Sequence, residues 1–205
     1  MINIFRLFTR DNKGGTAAEF GLVLPLLVLL FLGVIDVGRL LYTWNEAEKA
    51  TQIGARFAVV TAPVAGDLAT HNFTYDGLAP GSVVPTTVFS HLECVSGKCQ
   101  SCSGSACGNF SNGYGYNPTS FANLVFRMSA IFPAVKAANL QIDYDNAGLG
   151  YVSDPNAPNV AAFVTVRLKN LTFTPALFKL LGTSITLPDF KTTLTMEDGI
   201  GSQSN

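Results

Sequence analysis

The sequence predicts an α+β protein in which a long N-terminal transmembrane helix continues beyond the membrane and packs on an antiparallel β-sheet. Three observations predict this. Charged residues make up 13% of the 205 residues and apolar residues 48%, against roughly 25% charged in ordinary soluble chains. The apolar excess is concentrated at Phe20 to Ile35, an uncharged run between Glu19 and Asp36. Beyond residue 138 the pattern changes to short alternating segments rich in β-branched residues, the signature of strands. The length suits one domain plus an anchor and leaves no room for two large domains.

Arg6, Arg10 and Lys13 precede the apolar run, and Arg39 alone follows it closely. Positive-inside asymmetry then keeps residues 1–14 in the cytoplasm as a basic leader and places the C-terminal bulk outside. Phe20 to Ile35 is sixteen residues, about 24 Å of helix, short of the roughly 30 Å hydrocarbon core. A soluble core helix needs a polar face, and this run has none. A cleaved secretory signal needs a small-residue cleavage site after the run, whereas Asp36-Val37-Gly38-Arg39-Leu40-Leu41-Tyr42 continues in helical register. Pro25 lacks a backbone donor, which predicts a kink or a locally melted turn unless the membrane helix simply tolerates it.

From Asp36 to about Ala62 the residues Leu40, Leu41, Trp44, Ala47, Ala50, Ile53, Gly54, Phe57 and Ala58 recur at three- and four-residue spacing. This stripe predicts a helical extension over 36–62 that packs on the protein's own sheet, with Trp44 near the outer interface and Pro63 ending it. Residues 63–118 are rich in Gly, Ser, Thr, Asn and Pro and read as loops with short strands at Val83-Val84 and Thr86 to Phe89. Asn117-Pro118-Thr119-Ser120 reads as a helix entry, and Phe121 to Ala138 as a short amphipathic helix interrupted by Pro133. Residues 140–144 and 161–173 alternate, and 185–196 holds two β-prone pieces around Pro188. Residues 145–150 read as a hairpin turn and 154–159 as a loop.

All four cysteines, Cys94, Cys99, Cys102 and Cys107, fall within the loop 94–107, spaced C-x4-C-x2-C-x4-C. An even count in an oxidising compartment predicts two disulfides, paired either as nested Cys94–Cys107 and Cys99–Cys102 or sequentially as Cys94–Cys99 and Cys102–Cys107. A zinc knot of four thiolates is the rival, weakened by the oxidising setting and by the lack of a second, distant C-x2-C knuckle.

Several functions are disfavoured. The net charge is −1 and no Lys/Arg cluster follows residue 13, so the electrostatic footprint of a nucleic-acid binder is missing. No H-E-x-x-H, G-x-S-x-G, P-loop or post-strand G-x-G-x-x-G motif occurs, so no catalytic residue, cofactor or metal is expected. His71 and His91 read as isolated in polar loops, and Asp143, Asp145 and Asp154 lack the spacing of a calcium loop.

The informative stretch is Lys13-Gly14-Gly15-Thr16-Ala17-Ala18-Glu19-Phe20: a basic leader, a glycine pair, then one carboxylate at the start of the span. A carboxylate in a membrane helix costs about 2.5–3.5 kcal/mol at the centre, less near the edge, and normally has a partner and a use. The plain alternative is a headgroup-level charge that suits the helix macrodipole. These residues resemble the processing site of type IV pilins and pseudopilins, where a prepilin peptidase cuts after a glycine on the cytoplasmic side. Cutting between Gly14 and Gly15 makes Glu19 and Phe20 the fifth and sixth residues of the mature chain, the glutamate-then-aromatic arrangement of the Flp/Tad branch. Gly15 to Ile35 is then twenty-one residues, about 31 Å, which matches a bilayer.

With Gly33-Val34-Ile35-Asp36-Val37-Gly38-Arg39 and Ala47, Ala50, Gly54, Ala55 and Arg56 added, residues 11–60 resemble the TadE-like family of minor pilins. The resemblance implies a pilin-like fold and a structural, non-enzymatic role in assembling a Flp/Tad-type pilus. It implies Gly14 and Gly15 as processing site and Glu19, with Phe20 beside it, as the assembly carboxylate that meets the new α-amine of a neighbouring subunit. The implied partners are the lipid bilayer, other pilin or pseudopilin subunits, the prepilin peptidase and the inner-membrane assembly platform. The implied location is the bacterial inner membrane, with residues 63–205 as a periplasmic domain. A minor pseudopilin of a type II secretion system and an anchored periplasmic binding or sensor domain are the alternatives.

Overall fold

The computed structural model describes residues 14–153, 158–176 and 184–196. The basic leader 1–14, apart from Gly14, and most of the loop read at 154–159 lie outside the described residues. Two compact units divide the chain: Met1–Thr43 with Phe173–Ile185, and Trp44–Thr172 with Thr186–Asn205.

Helix α1, Gly15–Val60, contributes residues 15–43 to the first unit and 44–60 to the second. It runs unbroken through Pro25, so no melted turn forms there. Residues 20–30 are all exposed. The stretch Ala17–Val60 is long and apolar enough to cross a membrane, and only 6% of its most apolar window is buried, which is unlike the core helix of a soluble domain.

In the second unit the helix changes character. Ala47, Ala50, Thr51, Gly54, Ala55, Phe57, Ala58 and Val59 are buried, a wider face than the expected stripe. Leu41, in the first unit, is exposed instead, and Trp44 is half covered, its ring meeting Phe190 edge-on at 5.0 Å. Small residues let neighbouring elements approach closely: a Cβ built on Gly54 would lie 2.6 Å from Sδ of the fully buried Met128. The helix ends at Val60, just ahead of Pro63.

The rest of the second unit contains the short helix α2 (Asp67–Thr70), helix α3 (Pro118–Ser129) and strands β1 (His91–Val95), β2 (Lys98–Ser103), β3 (Leu140–Leu149), β4 (Ala161–Leu168) and β7 (Phe190–Thr195). Two short strands, β5 (Thr172–Phe173) and β6 (Ile185–Thr186), fall at the division between the units. The five longer strands form one sheet, ordered β2-β1-β3-β4-β7 and antiparallel throughout. This is the α+β arrangement that the sequence predicts.

Register follows the alternation of side chains. One cross-strand row runs Cys99, Cys94, Ile142, Val166, Thr192, and Thr192 Oγ1 hydrogen-bonds Thr51 Oγ1 of α1 at 3.1 Å. Leu92, Leu140, Tyr144, Val164, Leu168 and Phe190 share that face and are buried. The neighbouring row reads Gln100, Glu93, Asp143, Thr165, Thr193 and is polar throughout.

Helix α3 starts where its signals lie: Asn117 Oδ1 accepts from the backbone N–H groups of Thr119 and Ser120, with Pro118 in the first turn, a standard N-cap. Phe121, Leu124 and Met128 form its buried side. The helix ends at Ser129, earlier than the predicted 138, while Phe132 and Val135 beyond it are still buried.

Three local expectations are corrected. Thr86 to Val88 form a turn and Val83-Val84 no strand; Val84 and Phe89 are instead buried anchors of an irregular loop. Residues 145–149 are not a hairpin turn but the end of β3, with a register shift between Asn146 and Leu149. The Asn146 amide causes the irregularity to be useful: it donates to Val84 O at 2.9 Å and Phe89 O at 2.8 Å, satisfying loop carbonyls that no strand pairs. Third, the histidines are not isolated. His91 lies in β1 and bonds Asp145 at 2.7 Å, and His71 bonds Asp76 at 2.7 Å between the rings of Phe73 and Phe110.

Tyr144, 1% exposed, fastens the chain leaving α1 to the sheet, its hydroxyl accepting from the Val64 N–H at 2.9 Å. Burial pushes its pKa well above the ordinary phenol value, only partly countered by the backbone hydrogen bonds of Val64 and Ala65. The folded state holds the neutral phenol more tightly than the unfolded chain, whose tyrosine titrates near about 10. Its contribution is therefore complete below about pH 10 and declines as pH rises from there toward the folded value. Tyr144→Phe is expected to cost about 1–3 kcal/mol by leaving a buried N–H unpaired and to flatten the alkaline limb of stability in urea titrations at several pH values. Gly54→Val is expected to destabilise by about 1–3 kcal/mol through overpacking against Met128, read as a lower denaturation midpoint.

Candidate functional site

The junction at the start of α1 is built by local sequence. Gly14 lies just before the helix and Gly15 opens it. Both are exposed, and a Cβ added to either would meet nothing within 4 Å, so packing in the single chain does not demand glycine here. Four residues on, Glu19 falls on the same helical face as Gly15. Glu19 is exposed and makes no hydrogen bond or ion pair among the described residues, and Phe20 beside it is 64% exposed. An unpaired carboxylate and a bare aromatic ring thus stand together at the start of an apolar helix.

The cysteines stand apart from this junction. Cys94 and Cys99 face each other across the β1–β2 hairpin and are joined, and Cys102 is joined to Cys107. The pairing is the sequential one, and no free cysteine remains to donate to zinc. Gly97 closes the hairpin with φ of 84°, a conformation glycine adopts without penalty, and its N–H donates to the Tyr116 hydroxyl at 2.9 Å. The strands β1 and β2 occupy the region expected to be mostly loop.

Two polar groupings were not legible in the sequence. On the outer sheet face Glu93 and Asp143 are directly opposed, a repulsive pair unless compensated. Compensation comes from Gln100 Nε2 on Glu93 at 2.9 Å, and from Gln141 Nε2 at 2.6 Å and Arg167 Nη2 at 3.0 Å on Asp143. His91, Glu93 and Asp143 bring donor atoms within 4.8 Å of one another, but the guanidinium already supplies positive charge there. The second grouping is an open polar cleft of about 590 Å³ lined by Asp67, His71, Asn72, Tyr75 and Ser111 among others. Asp67 is spent within it, accepting from the Ser111 N–H at 2.6 Å and its hydroxyl at 2.8 Å. Asp154, the third candidate of the acidic trio, lies outside the described residues, and Asp143 and Asp145 are engaged by Arg167 and His91.

With this geometry in place, comparison with known families is decisive for one segment. Residues 14–56 match the family described as TadE-like protein. This stretch is TadE-like. The TadE-like segment begins at Gly14, includes Gly15, Glu19 and Phe20, and ends four residues before α1 does. The sheet, the cysteine hairpin and the polar cleft lie outside the match. No curated protein and no solved structure matches the chain.

Each disulfide spans a sequence separation of 5, so loop-closure entropy makes each worth about 2 kcal/mol. Cys94→Ser with Cys99→Ser is expected to lower stability by about that amount. Non-reducing peptide mapping is expected to recover Cys94 with Cys99 and Cys102 with Cys107 as linked pairs.

Proposed function

We propose that this chain is a minor pilin or pseudopilin of a Flp/Tad-type pilus, made as a precursor and trimmed between Gly14 and Gly15. The observation that carries the reading is the TadE-like segment at whose start Gly15 opens a bare apolar helix and Glu19 has no partner among the described residues. Trimming gives Gly15 a positive α-amine. In a lipid-embedded bundle the Glu19 carboxylate of one copy and the α-amine of the next attract strongly in low dielectric, which offsets part of their desolvation. Phe20, exposed beside Glu19, packs against the neighbouring helix.

Under this reading residues 1–14 are the cytoplasmic leader, 15–35 span the inner membrane, 36–62 extend the helix into the periplasm and 63–205 form the periplasmic domain. The partners are the prepilin peptidase, the assembly platform and other pilin subunits, and the role is structural. An oxidising periplasm agrees with two disulfides and no free thiol.

Intact-mass spectrometry of the protein from membranes, with and without the peptidase, tests this. A mature chain starting at Gly15 only when the peptidase is present is expected. An untrimmed chain in both preparations overturns the pilin reading in favour of an anchored periplasmic domain.

A further inference from the structure

A second stretch of chain meets α1 where its apolar run ends. Asp36 is 7% exposed, accepting from Arg39 Nη1 at 3.1 Å and from the backbone N–H of Ala176 at 2.8 Å. The Arg39 guanidinium lies over the Phe173 ring, 5.5 Å from its centroid. Leu32, Gly33, Asp36 and Leu40, spaced along one face, are at least partly covered, whereas residues 20–30 are bare. Phe173 and Pro175 are buried, while Thr174 and Ala176 remain exposed.

These contacts fix a depth. If residues 15–35 fill the hydrocarbon core, Asp36 stands at its outer edge, and Ala176 is within one side chain's reach of it. Arg39, three residues on and about 4.5 Å further out, holds Phe173 at the level of the headgroups. We propose that residues 173–176 rest on the outer leaflet, and that Asp36 and Arg39 form the clasp that seats them there. The proposal rests on the reading of 15–35 as a membrane span.

The clasp has a physical reason. A carboxylate at the lipid edge is costly unless donors reach it, and the Ala176 N–H and Arg39 supply them. Arg39 keeps half of its side chain exposed, free to meet lipid phosphate as well. Ile185, in the same unit, is exposed as well. A lipid surface is therefore the partner of this face.

The test uses the full-length chain in vesicles of phosphatidylcholine and phosphatidylglycerol, carrying an environment-sensitive fluorophore at Thr174→Cys or, as a reference, at Leu27→Cys. Lipids bearing a nitroxide at the headgroup or deep in the acyl chain, and a water-soluble collider, report depth. Deep quenching at Leu27 with headgroup-level quenching at Thr174, the latter lost in Asp36→Ala, is expected. Quenching of Thr174 by the aqueous collider alone, with Leu27 deep, overturns the interfacial segment and leaves the span intact. Shielding of Thr174 that grows with protein-to-lipid ratio overturns it in favour of a neighbouring subunit. An unquenched Leu27 overturns the span and this proposal together.

Discussion

The close approach of α1 to its neighbours between Trp44 and Val60 is the constraint on which the C-terminal unit depends. Ala47, Ala50, Gly54, Ala55 and Ala58 bring little apolar surface of their own. Their small size lets larger side chains come in against the helix, Met128 over Gly54 and Phe190 against Trp44. The buried Thr51 hydroxyl donates to Glu48 O on its own helix and accepts from Thr192 of the sheet. The same helix carries large, bare residues from Phe20 to Leu30. Bulky side chains suit a fluid apolar surrounding that adapts to any shape, and small ones suit a fixed protein surface.

The two faces of the sheet solve opposite problems. On the inner face the row from Cys99 to Thr192 is apolar until its last member, and burial stabilises it together with the Cys94–Cys99 disulfide. On the outer face carboxylates oppose each other at Glu93 and Asp143, and order comes from donors placed around them by register. Asp143 has Gln141 two residues away on its own strand and Arg167 on β4, whose backbone partner is Gln141. A one-residue slip of β3 against β4 would strand a buried carboxylate, so this charge network penalises wrong registers as well as stabilising the right one.

What could be read from the sequence was what is local in it. The junction from Gly14 to Phe20, the apolar helix, the Asn117 cap and the alternation in 140–144 and 161–168 each declare themselves within a few residues. What was missed depends on partners far along the chain. Asp36 looked like the end of an apolar run, yet its donor lies at Ala176. Asn146 looked like a turn residue because Asn and Gly usually are, yet its amide serves carbonyls at Val84 and Phe89. Thr86 to Phe89 has strand-forming composition, yet Thr87 O and Val88 O accept from the N–H groups of Ser105 and Ala106 in a turn, while the cysteine segment, rich in small polar residues, becomes a hairpin because β3 offers an edge to His91–Val95. Propensity lost to pairing opportunity in both cases.

The short span of the two disulfides bears on how such a domain answers mechanical load. Each covalent rung removes only a handful of residues from the extensible chain, at about 3.3–3.6 Å of contour apiece. Under the pilin role proposed above, a pulled subunit would therefore draw on hydrogen-bonded ladders and packed helix faces for resistance, with the sulfur bridges preserving the hairpin locally while nearly all of the remaining length could still extend.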